Sequence, residues 1–167
     1  MEILIVVQSL IAFSTGIISL FLVYSLLQGY LKRLFQLDVK NLAYAVFKAG
    51  VLLATAMLMS SVISPGINAI RFLNQAGMNS STITSSIGYV LIFMLIGILF
   101  SFMVIAAGVV ILFQLTRENE WEEIRQNNVA TALISAALIL GLAIIMKEHV
   151  AGVCEMLIPY PAVLQIR

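Results

Sequence analysis

The chain has 167 residues, 62% hydrophobic and only 10% charged, whereas an ordinary soluble domain is roughly 45–50% apolar and about 25% charged. That composition excludes a typical water-soluble fold and makes membrane lipid the natural surroundings, while a formal net charge of +1 gives no electrostatic case for nucleic acid as a partner. The single cysteine, Cys154, excludes an intrachain disulfide framework and cannot alone build a thiolate metal site.

The first apolar run, residues 3–27, carries no charge and at about 1.5 Å per residue is long enough for a hydrocarbon core of about 30 Å. It begins Met1-Glu2 and stays apolar too long for a cleaved secretory signal, so a retained helix is expected. The second run, residues 42–63, contains one charge, Lys48, and meets Pro65-Gly66, which is expected to stop it. The third, residues 87–115, is the longest and should tilt or project beyond the bilayer. The fourth covers residues 129–146. After the second and fourth runs, Ile67, Ile70 and Leu73, and then Val150, Val153 and Leu157, have the spacing of short interfacial helices.

Placing Asn41 over Asn128 and continuing without a gap gives seven identities: Asn41, Ala43, Ala45, Ala49, Leu53, Ala56 and Met59 fall on Asn128, Ala130, Ala132, Ala136, Leu140, Ala143 and Met146. The match predicts two tandem units, residues 1–80 and 81–167, each with two crossings. An even number of crossings gives both units the same orientation, related by an axis along the membrane normal. The expected fold is therefore an all-α integral membrane protein with four transmembrane helices, built as a tandem repeat of two two-helix units. The loops after the first and third runs hold Lys32, Arg33, Lys40, Arg117 and Arg125, against Arg71, Lys147 and Arg167 on the other side. The positive-inside rule then puts those loops in the cytoplasm and both termini outside.

Lys48 is the one charge well inside a span, and such a residue is a candidate functional group because its burial costs several kcal/mol. It also lies about 10 Å along the axis from Asn41, within reach of the membrane face by snorkelling. Small residues recur four apart as Ala45 with Ala49, Gly50 with Ala54, Ala132 with Ala136 and Ala137 with Gly141, a spacing that lets helix backbones approach in lipid. Matched small positions in the two units are expected to pack alike. Asn119-Glu120-Trp121-Glu122 reads as a helix start with a capping box, with Trp121 and Ile124 on one side and Glu120, Glu123 and Arg125 toward water.

Glu148, His149, Cys154 and Glu155 could hold a metal or shuttle a proton, but one His and one Cys without companions make a metal site an unsupported reading. The sequence contains no nucleophile elbow, zinc-binding His-Glu-x-x-His or phosphate-binding Gly loop, and its sole aspartate, Asp38, excludes a paired-Asp protease. Neither an enzyme nor a cofactor is expected.

The stretch Asn119-Glu120-Trp121-Glu122-Glu123-Ile124-Arg125-Gln126-Asn127-Asn128-Val129-Ala130-Thr131-Ala132 resembles the bacterial domain-of-unknown-function 350 family. That resemblance implies a small four-helix protein of the bacterial inner membrane with a duplicated two-helix domain, and it brings no catalytic residues or substrate. The first copy reads Asp38-Val39-Lys40-Asn41-Leu42-Ala43-Tyr44-Ala45 there, without the Trp or the paired Asn. The function expected is that of a non-enzymatic, self-associating membrane protein for envelope organisation, stress or defence, with itself, lipid and other proteins as partners. The alternative is a pore or transporter lined by Ser14, Thr15, Ser19, Thr55 and Ser60. The candidate functional or packing residues are Lys48, Asn41, Asn128, Gly50, Ala54, Ala137, Gly141 and Trp121.

Overall fold

The computed structural model describes residues 14, 16–26, 29, 41–75, 80–115 and 120–160. Their regular structure is helical throughout: α1 Gly16–Leu26, α2 Leu42–Ser61, α3 Ile63–Asn74, α4 Ser80–Leu115, α5 Glu120–Arg125 and α6 Val129–Met156. Three helical paths among the described residues are long and apolar enough to cross a membrane, namely Leu42–Leu73, Thr84–Leu112 and Val129–Met156. The expected first span is described only in the part that forms α1. Its beginning, the loop bearing Lys32, Arg33 and Lys40, and the tail ending at Arg167 lie outside the described residues.

Pro65-Gly66 does not stop the second run. The ladder breaks earlier, at Val62, whose N–H turns back to the Met59 carbonyl at 3.3 Å, and α3 then carries Pro65 in its first turn. A first-turn residue has no intrahelical partner for its N–H, so the proline costs nothing there. At the other end of the chain, the expected separate helix around Val150 is a continuation of α6, an unbroken helix of 28 residues. Helix α4 runs for 36 residues, about 54 Å, which exceeds a hydrocarbon core as its sequence foretold.

Helices α2 and α6 lie side by side and parallel. Asn41 at the start of α2 reaches the Ile124 and Arg125 carbonyls just before α6, and Asn68 in α3 donates to Glu155 near the end of α6 at 3.1 Å. Helix α4 crosses this pair on one face, presenting Phe93, Gly97, Ser101, Val104, Gly108 and Leu112 inward, a spacing of three and four that keeps them on one stripe. Its two inner glycines make the fit: Gly97 accommodates Met59 and Val62, and Gly108 accommodates Ile139. The outer surface carries Phe21, Leu95, Met103, Ile134 and Ile145, all more than half exposed. A contiguous apolar exterior of this kind fits a chain solvated by lipid.

Candidate functional site

The α2–α6 seam and its two ends bring together most of the singled-out residues. At one end, α5 closes with Asn127 in the left-handed region, φ 68°, a conformation Asn tolerates better than most residues. Asn127 N–H donates to the Ile124 carbonyl and Asn128 N–H to the Glu123 carbonyl, at 3.1 and 2.9 Å, the paired bonds of a Schellman ending. The next residue, Asn128, begins α6, its Oδ1 accepting from Ala130 and Thr131 N–H and its Nδ2 donating to Glu123 at 2.6 Å. One asparagine therefore ends α5 and its neighbour caps α6, which gives the paired Asn of this loop a physical role.

Asn41 caps α2 by accepting from Tyr44 N–H at 2.9 Å. Its Nδ2 simultaneously donates to the Ile124 and Arg125 carbonyls at 2.8 and 3.0 Å, adding a second donor to Ile124, which already takes the Asn127 N–H, and reaching the last turn of α5, where carbonyls lack intrahelical partners. In return, Ala43 N–H in the first turn of α2 donates to Asn127 Oδ1 at 3.0 Å. The two helix ends thus supply each other's missing partners. The sequence reading overlooked Asn127; its signal was an Asn between a six-residue helix and a second capping Asn.

Trp121 does not stand alone at the membrane surface. It is half-buried and meets Phe47 of α2 edge to face, with ring centroids 5.3 Å apart and planes at 83°, a favourable quadrupolar arrangement. Ile124 is buried beside it, as expected, but Glu120 is also buried and not turned to water, because α5 lies flat enough against α2 and α6 to enclose that side. Lys48 holds its ammonium 3.9 Å from the centre of the Tyr24 ring in α1, a cation–π contact that softens the cost of a charge in a span.

Further along the seam, a Cβ added to Gly50 would lie 2.9 Å from the Ala136 Cα, so the two backbones touch at that point. Ala43 and Ala54 are buried with Gly50 on α2, and Ala132, Ala136 and Ala143 on α6. The expectation that matched small positions pack alike is corrected within one chain. Ala137 is exposed and a Cβ on Gly141 would meet nothing within 4 Å, while Ala45 and Ala49 on α2 are exposed too. The reason is rotational: α2 and α6 turn different sides toward each other.

Hydroxyls along α2, α4 and α6 are spent locally. Thr55, Ser101 and Ser135 each donate to the carbonyl four residues back, at 2.8 to 2.9 Å, and Ser60 donates to Met57 at 2.7 Å. Ser19 is buried, Ser14 is exposed, and Thr15 lies outside the described residues. Between α2, α3 and α6, at the end opposite the asparagines, a cleft of about 590 Å³ is lined by Ser60, Ser61, Ser64, Lys147, Glu148 and Glu155 among others. His149 is exposed and within 3.3 Å of the Ile145 carbonyl, Cys154 is buried, and Glu155 is engaged by Asn68. Among the described residues no three His, Cys, Asp or Glu side chains converge as metal ligands would.

No curated protein and no solved structure matches the chain. The family model described as Domain of Unknown Function (DUF350) matches residues 82–160, a stretch that holds α4 from its first turn, the α5 loop with Trp121, Asn127 and Asn128, and all of α6. The match supports the resemblance carried by that loop: over residues 82–160 the chain is similar to the DUF350 family.

Proposed function

We propose that this is a non-enzymatic, self-associating protein of a bacterial inner membrane, acting in envelope organisation or in a stress or defence response. It crosses the bilayer four times as a tandem pair of two-helix units, with both termini outside and the asparagine end of the seam in the cytoplasm. The observation that carries this reading is the use made of polar atoms: asparagines tie helix ends together, hydroxyls return to their own helices, and the α2–α6 seam between them is built of alanine and glycine. Such a framework serves packing, and helix association in lipid depends on close packing of this sort. Cross-linking in native membranes and native mass spectrometry after mild extraction should both give assemblies larger than one chain; a strictly monomeric protein would sink the reading. Gln126→Cys on a Cys154→Ser background tests the orientation, since labelling by an impermeant thiol reagent in intact cells contradicts a cytoplasmic loop.

The outer cleft favours one second reading, a pore or transporter, because it gathers hydroxyls with Lys147, Glu148 and Glu155. Protein-dependent movement of ions or small solutes in liposomes would support that reading, and its absence would leave the first.

A further inference from the structure

At about 100° per residue, the small residues of α2 fall into two stripes on roughly opposite sides. Ala43, Gly50 and Ala54 form the first, and Ala45, Ala49 and Ala56 the second. The matched positions of α6 repeat both: Ala130, Ala137 and Gly141, then Ala132, Ala136 and Ala143. A two-fold relation between the units would bury the same stripe on both helices. The chain instead buries the first stripe of α2 against the second stripe of α6. The contact is heterologous, and both of its halves are left over: Ala45 and Ala49 on the second stripe of α2 and Ala130 and Ala137 on the first stripe of α6 are exposed, with Ala56 and Gly141 half-buried.

The end of the seam has the same asymmetry. Asn41 and Asn128 occupy matched capping positions, yet the Asn41 amide reaches across to the loop of the other unit, whereas the Asn128 amide stays on Glu123 of its own loop. Small residues on the open stripes have no advantage against lipid, and the neighbouring lipid-facing positions Leu53, Leu133, Ile134, Ile144 and Ile145 are large. What covers such stripes is visible inside the chain, where one repeat helix already seats its first stripe on the second stripe of the other.

Resting on the duplicated, self-associating reading above, we infer that chains join head to tail in the membrane plane, the first stripe of α6 in one copy packing on the second stripe of α2 in the next. The internal seam is thereby repeated between chains. Lys48, engaged with Tyr24 of α1, lies off this stripe around α2 and leaves it accessible. The register carries over: Gly50 against Ala136 within the chain becomes Ala137 of one copy against Ala49 of the next. Ala137 stands where the internal seam has Gly50, so the seam between chains is wider and weaker. A heterologous contact makes a ring if its rotation closes and an open file if it does not.

The test uses the full chain in native membranes with Cys154→Ser, carrying Ala49→Cys and Ala137→Cys together, with copper phenanthroline as oxidant. These positions point away from each other within one chain, so the double variant should give a ladder of dimers, trimers and larger species. Each single variant alone should give none, and the two co-expressed should stop at dimers. Ala137→Leu should shift the wild-type assembly to monomer in native mass spectrometry while the chain stays folded. Self-cross-linking of Ala49→Cys or of Ala137→Cys would overturn the head-to-tail contact and leave self-association standing, as would an assembled protein that yields no ladder. A monomeric wild type would overturn both.

Discussion

Adding one methyl group at Gly50 is the sharpest perturbation of the seam. The new Cβ would sit 2.9 Å from the Ala136 Cα, where an ordinary carbon–carbon contact needs about 3.5–4.0 Å, so α2 and α6 must part by roughly half an ångström or more. A gap of about 0.5–1 Å forfeits a quarter to a half of each contact's well depth of about 0.1–0.2 kcal/mol. If the seam makes on the order of thirty such contacts, the loss is about 1–3 kcal/mol, in line with the ~1–3 kcal/mol of overpacked cores. The same substitution at Gly141 meets open space within the chain, matches the methyl that Ala54 carries at the corresponding position, and gains helix propensity of up to about 1 kcal/mol. Gly50→Ala should therefore lower thermal resistance in mild detergent, and Gly141→Ala should leave it unchanged or raise it. Equal behaviour of the two variants, or a Gly50→Ala protein as resistant as wild type, would refute the close approach of α2 and α6.

Asn41→Ala should cost more than Asn128→Ala, because it removes a cap, worth about 1 kcal/mol, together with two bonds to the end of α5, each about 1 kcal/mol; thermal unfolding of both variants ranks them, and equal losses would contradict the clasp. A double-mutant cycle of Trp121→Ala with Phe47→Leu should return a coupling of about 0.5–1.5 kcal/mol for the edge-to-face pair, and a coupling near zero would dismiss it. Lys48→Met keeps the apolar stem and drops the charge, so insertion and assembly should persist at wild-type protein level, with a modest loss in thermal resistance from the Tyr24 contact; loss of a cellular phenotype at unchanged assembly would show that the ammonium itself acts.

Where the sequence carried a local signal, the helices could be read from it. The long uncharged run ending at Leu115, the helix start near Trp121, and Asn41 and Asn128 as entry residues all correspond to features of the fold. Pro65 misled because its effect depends on position: the same ring that breaks a helix interior is harmless in a first turn. Val150 misled because Lys147 and Glu148 interrupt the apolar run without interrupting the backbone of α6. The buried sides of α2 and α6 could not be read at all, since a helix that is apolar all round gives no stripe to mark its neighbour. Gly50 and Gly141 look equivalent in the sequence, and only the rotation of each helix separates them.

Water does not drive helices together inside lipid, so register and distance must come from other sources, and this fold divides them. The small residues set distance, because Gly50 and Ala136 permit backbone contact. The ends set register: Asn41 finds the α5 carbonyls, and Asn127 the Ala43 amide, at one height only, and Asn68 with Glu155 repeats the constraint at the far end. In the alignment of Asn41 with Asn128, Lys40 stands at the position matching Asn127. A lysine side chain has no acceptor to offer a helix N-terminus, so this position cannot repeat the bond that Asn127 gives to α2. Among the described residues the clasp joins the end of α5 to the start of α2, and that polarity agrees with a seam whose two sides are not the same.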